Sequence, residues 1–131
     1  MAVSVKRAYE KPAPGDGFRV LVDRLWPRGL TKEKLKIDEW MKEIAPSPEL
    51  RKWYGHEVEK WVEFRKRYQS ELAKSPAKEL LEELAVRDGR GKVTLVIGAR
   101  DVEHANGAVI AEMIKAKMSG KRPKSTRIAQ R

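Results

Sequence analysis

The run Val93-Thr94-Leu95-Val96-Ile97 restricts the folds open to this chain more than any other stretch. It is continuously apolar and β-branched where a half-exposed strand would alternate, so it reads as a central strand covered on both faces. Its parallel neighbours must come from upstream. Residues 3–9 alternate and predict a first strand, and residues 18–25, bounded by Gly17 and by Pro27 and Gly29, predict a second. Strand, helices, strand and helix in that order predict an α/β fold, a small single domain over residues 1–119 with a short, mainly parallel sheet flanked by helices. Residues 120–131 carry Lys121, Arg122, Lys124, Arg127 and Arg131 without an acid, and that composition predicts a disordered basic tail.

The helices are marked by their ends. Thr31 can cap a short turn at residues 32–34, and Ser47-Pro48-Glu49 combines an N-cap, a first-position proline and an early acid, with Gly55 as the stop. A longer helix is predicted over residues 57–73. Another follows Ser75-Pro76, with Leu80, Leu81, Leu84 and Ala85 inward, and stops at Asp88-Gly89. Residues 37–44 read equally as helix or strand, because Ile37, Trp40, Met41 and Ile44 have helical spacing while Ala45-Pro46 demands an extended exit. After the apolar run, Asp101 is expected to cap a last helix with Val102, Ala105, Val109, Met113 and Ala116 inward, ending at Gly120. Gly107 within it implies either a close backbone approach or a tolerated glycine.

Charge narrows the partners. The net charge of +10 points to a polyanion or an anionic small molecule, with five of the ten excess charges on the tail, through which nucleic acid could be held. Charged residues make up 37% of the chain against about 25% in average domains, and there is no cysteine, a composition that fits a heat-adapted cytoplasmic protein. No stretch has the roughly 18 apolar residues of a membrane span or the core of a signal peptide.

If residues 18–25 and 93–97 run parallel, their carboxyl ends share one rim, where open α/β sheets bind ligands. That rim would hold Asp23, Arg24, Trp26 and Arg28 from one strand and Arg100, Asp101, His104 and Asn106 from beyond the other. His104, Asp23 and Asp101 are the candidates for proton transfer. Arg24, Trp26, Arg28, Arg100 and Asn106 are the candidates for holding a ligand. Asp23 beside Arg24 reads either as a ligand-orienting pair with a depressed carboxylate pKa or as a structural ion pair. Arg28, between Pro27 and Gly29, could offer a guanidinium fork to phosphate or carboxylate, or stand solvated. His104, in the first turn of a helix, would be kept neutral by the helix dipole and so could exchange protons, or could be structural. His56 has no evident partner. Two isolated histidines give no metal-ligand spacing, no cofactor signature is legible, and Gly89-Arg90-Gly91-Lys92 precedes a strand where a phosphate loop would follow one. There is no Gly-x-Ser-x-Gly turn either.

Val5-Lys6-Arg7-Ala8-Tyr9, the run Val22-Asp23-Arg24-Leu25-Trp26-Pro27-Arg28-Gly29, Trp40, Ile44-Ala45-Pro46-Ser47, Leu50-Arg51, Phe64-Arg65, Tyr68 and residues 99–106 together resemble the YeaO-like branch of the domain of unknown function 488 (DUF488) family. The resemblance covers residues 3–118 and leaves the tail outside. It implies a compact α/β fold and supplies no activity, and no helix-turn-helix is visible to support a regulatory label. In the family His and Asn stand adjacent or nearly so on the last helix, whereas Ala105 separates His104 from Asn106 here.

Overall fold

The computed structural model describes residues 2–118; the basic tail expected over 120–131 and the helix stop expected at Gly120 lie outside them. The apolar run is β4 (Val93–Ile97), and all five of its residues are buried. It lies inside a four-stranded sheet of order β1-β4-β2-β3, with β1 (Ser4–Arg7), β2 (Phe18–Leu21) and β3 (Glu39–Trp40). Every pairing is parallel, with Val5 and Val20 both in register with Leu95. This is the small α/β domain that a continuous apolar strand requires.

The two faces of the sheet are covered differently. Val20, Val22, Val93, Leu95 and Ile97 pack beneath α3 (Trp61–Leu72), α4 (Ala77–Arg90) and α5 (Asn106–Met118), among Phe64, Tyr68, Leu81, Leu84, Ile110 and Ile114. On the opposite face Leu21 and Val96 meet Ala8 and, from the short α1 (Lys32–Leu35), Leu35, rimmed by Trp26, Leu30, Ile37 and Trp40. Polar chemistry completes that thinner layer. Buried Arg19 donates to the Asp16 carboxylate at 2.7 Å and to the carbonyls of Leu35 and Lys36, while Thr94 donates to the Asp16 carbonyl. Burial works to raise the Asp16 carboxyl, but the Ala13 N–H, Lys6 and Arg19 outweigh it and hold it below the usual range.

Several boundaries differ from the sequence reading. β2 ends at Leu21, although the Val22 N–H still reaches the Val96 carbonyl. From there the Asp23 carboxylate caps the Gly98 N–H across the strand ends and turns the chain out of the ladder. The ambiguous residues 37–44 split into β3 and a 3-10 turn over Lys42–Ile44. The long helix begins with a 3-10 turn, Val58–Lys60, before α3. Gly89 does not stop α4, which continues to Arg90: one interior glycine costs only about 1 kcal/mol, less than its packed face holds. Asp101 makes no capping bond; a separate 3-10 turn, Val102–His104, leads to extended Ala105, and α5 starts at Asn106. Thr31 and Ser47 cap α1 and α2 (Pro48–Tyr54) as their spacing predicts, accepting from the Lys34 and Leu50 N–H groups, and Gly55 ends α2 in the left-handed conformation.

Candidate functional site

β2 is followed by α1 on one face of the sheet and β4 by α5 on the other. The chain therefore parts at the carboxyl ends of these adjacent strands and leaves a crevice there. A cleft of about 470 Å³ occupies it, lined by Asp23, Arg24, Arg51, Lys52, His56 and Asn106 among others.

Asp23 and Asn106 form the inner end. The Asp23 carboxylate accepts from the Gly98 N–H at 2.8 Å, and its carbonyl accepts from the Trp40 indole at 2.7 Å. The Asn106 amide donates to the Val22 carbonyl at 3.0 Å and lies close enough to the Asp23 carboxyl and the buried Tyr68 hydroxyl to favour their ionised forms. Burial raises the Asp23 carboxyl above its ordinary value; the Gly98 N–H, Asn106 and the charges of Arg51 and His56 oppose that without cancelling it. The sequence expectation was the reverse, a carboxylate depressed by Arg24. Arg24 turns away instead, donating to the carbonyls of Ala45 at 3.1 Å and Pro46 at 3.4 Å, with Glu43 at 3.7 Å.

The Ile44-to-Ser47 wall is held at each residue. Tyr68 donates to the Ile44 carbonyl, Arg24 to the next two, and Glu71 accepts from both the N–H and the hydroxyl of Ser47. Ser47 in turn caps α2, so the wall fixes the helix that carries Arg51 and Lys52 over the strand ends. Tyr54 anchors the other end of α2, stacking on Phe64 with ring centroids 4.2 Å apart and donating to the His104 carbonyl. Gly55 (φ 52°) and His56 (φ 58°) are both left-handed, a conformation uncommon for a residue with a side chain, and this reversal puts His56 on the cleft.

Of the residues singled out from sequence, the cleft brings together Asp23, Arg24 and Asn106. Trp26 packs edge-on to Trp40 and donates to the Leu30 carbonyl in the thin layer. The Arg28 side chain is exposed and its carbonyl accepts from Tyr9. Arg100 is exposed, and Asp101 pairs with the His104 Nδ1 at 2.8 Å while the His104 ring meets Trp61 edge-on. None of these five lines the cleft. His104 closes the 3-10 turn ahead of α5 and does not lie in that helix's first turn, where the sequence reading placed it. Arg51, Lys52 and His56 are not among the site residues the sequence singles out, because only the packing of α2 brings them to the strand ends; the available signal is His56 directly after a helix-ending glycine. Among the described residues no group of acids and histidines could hold a metal ion, and no helix is long and apolar enough to cross a membrane.

Comparison with known proteins places this geometry among uncharacterized relatives. A family model described as the inactive DUF488-N3 subclade matches residues 2–129, so the pattern extends through most of the basic tail, beyond the limit of the sequence resemblance. Uncharacterized proteins of Mycobacterium tuberculosis and Mycobacterium bovis are each 45% identical over 115 residues, covering 88% of this chain and 95% of theirs. The uncharacterized protein YeaO of Escherichia coli is 38% identical over 117 residues, covering 88% of this chain and 99% of its own. No solved structure matches.

Proposed function

The chain belongs to the DUF488 family, in the subclade described as inactive DUF488-N3, and from that premise we propose that it binds an anionic small molecule, phosphate- or carboxylate-bearing, in the cleft at the ends of β2 and β4. One observation carries the reading: the cations Arg24, Arg51 and Lys52 line the cleft together with His56, and Asp23 is the single acid among its lining residues. Cations gathered around a concavity attract anions and offer them charge-assisted hydrogen bonds. The subclade description favours binding over turnover. So does the position of His104 and Asp101, the two groups best suited to proton transfer, neither of which lines the cleft.

The test is thermal unfolding in phosphate, sulfate and acetate at constant ionic strength. A ligand that binds only the native state raises the melting temperature by mass action. Phosphate or carboxylate should raise it saturably in the parent and in Arg28→Ala, and fail to do so in Arg51→Ala. An equal response in Arg51→Ala would remove the cleft as the anion site. Binding of nucleic acid that weakens steeply with salt and ignores Arg51→Ala would favour the competing reading, in which net charge drives the association.

A further inference from the structure

The charges of the cleft are unevenly arranged, and the unevenness bears on what an anion bound there would be attached to. This step rests on the anion-binding reading above. A carboxylate has about four acceptor directions. The Gly98 N–H donates to Asp23 and the Asn106 amide lies beside it, and no guanidinium or ammonium among the described residues is hydrogen-bonded to it, Arg24 being committed to the Ala45 and Pro46 carbonyls. Asp23 therefore keeps acceptor capacity on the cleft it lines. Inorganic phosphate, whose charge lies within a bond or two of each of its oxygens, would be attracted by the cations and repelled by this carboxylate. A ligand with neutral donors at one end and an ionised group at the other meets both demands.

We infer that the cleft takes a phosphate monoester of a polyhydroxylated carbon chain, its hydroxyls donating to Asp23 and its phosphate held by Arg51 and Lys52, with Asn106 orienting the carboxyl. An ammonium group would also donate to Asp23. It would do so among Arg24, Arg51 and Lys52, whose combined field opposes a cation, whereas a hydroxyl meets no such opposition. A volume of about 470 Å³ accommodates a small sugar or polyol phosphate. The raised carboxyl of Asp23 agrees with a neutral partner: a group whose ionised form is disfavoured gains most from donors that come without a second charge to desolvate.

Calorimetric titration of the full chain with three esters of matched size tests this: glycerol 3-phosphate, propyl phosphate, which lacks the two hydroxyls, and phosphoethanolamine, which replaces them with an amine. Glycerol 3-phosphate should bind tightest, about tenfold or more over propyl phosphate, as expected when one or two hydrogen bonds to a charged acceptor are gained. Asp23→Asn should erase most of that preference, and Arg51→Ala should weaken all three esters alike while keeping their order. Equal binding of glycerol and propyl phosphates, or tightest binding of phosphoethanolamine, would overturn this inference and leave anion binding standing. Failure of all three esters and of inorganic phosphate to bind would overturn both.

Discussion

Gly107 stands at the second position of α5, where the helix crosses β1 and β4. A methyl group there would lie 2.9 Å from Val5 Cγ1 and 3.1 Å from Ile97 Cγ2. Carbon atoms in contact normally keep about 3.5–4.0 Å, so Gly107→Ala must push α5 outward by roughly half an ångström or more, or displace both side chains. Val5 is half-buried and has room to rotate; Ile97 is fully buried in the central strand and has none. Overpacking of this kind costs about 1–3 kcal/mol, and replacing a helical glycine recovers up to about 1 kcal/mol, less in a first turn. The expected net loss is about 1–2 kcal/mol. Urea denaturation should show a lower midpoint with an unchanged slope. Asn106 is the adjacent residue and holds the Val22 carbonyl at 3.0 Å, so phosphate-induced stabilisation should weaken as well. A variant as stable as the parent, or more stable, would refute the close approach of α5 to the sheet.

Leu81→Ala should cost on the order of 2–5 kcal/mol, because Leu81 is 2% exposed in the main core; a denaturation midpoint within error of the parent would contradict the register of α4. Ser47→Ala removes both the cap of α2 and a partner of Glu71, and should lower stability by about 1–2 kcal/mol while weakening any anion response that depends on Arg51; an effect on neither would show that α2 is held by Tyr54 alone. Asp23→Asn tests the raised carboxyl through its pH dependence. A native value above the unfolded 3.8 means that the native state binds more protons, so the ionised carboxyl reduces stability increasingly as pH rises from about 3.8 through the native value. The amide keeps an acceptor for the Gly98 N–H. Asp23→Asn should therefore match the parent in acid and exceed it at neutral pH, and a stability difference independent of pH would contradict the shift.

What the sequence disclosed follows from the range of the interactions involved. Val93–Ile97 announced a covered central strand because burial on both faces acts residue by residue, and Ser47, Thr31 and Gly55 announced helix ends because caps are local. Asp23 was legible as a strand-end acid, but the direction of its titration was not. That depended on whether Arg24 would face Asp23 or the carbonyls of Ala45 and Pro46, more than twenty residues away. The rim was drawn too widely for a similar reason. Arg28, Arg100, Asp101 and His104 follow strand ends in sequence, yet the turns after those ends carry them outward, and α2 with the reversal that follows it, between the strands in sequence, supplies Arg51, Lys52 and His56 in their place.

Asp23 and His56 share a property that the surrounding residues lack. The buried carbonyls of the Ile44-to-Ser47 wall all have donors, and the second layer of the sheet is closed by a charge cluster whose carboxylate is stabilised below its ordinary range. Asp23, by contrast, is held against its own ionisation, and His56 keeps a left-handed backbone that a glycine would adopt without strain. Such groups persist where the rest of the fold over-determines them, and here Asn106, Gly98, Tyr54 and the capped ends of α2 do so. Both unfavourable groups line the same cleft. Lys36 (φ 50°), outside the cleft, is left-handed as well, so backbone strain is not confined to this site; what sets the cleft apart is Asp23, whose raised carboxyl an Asn at 23 would relieve.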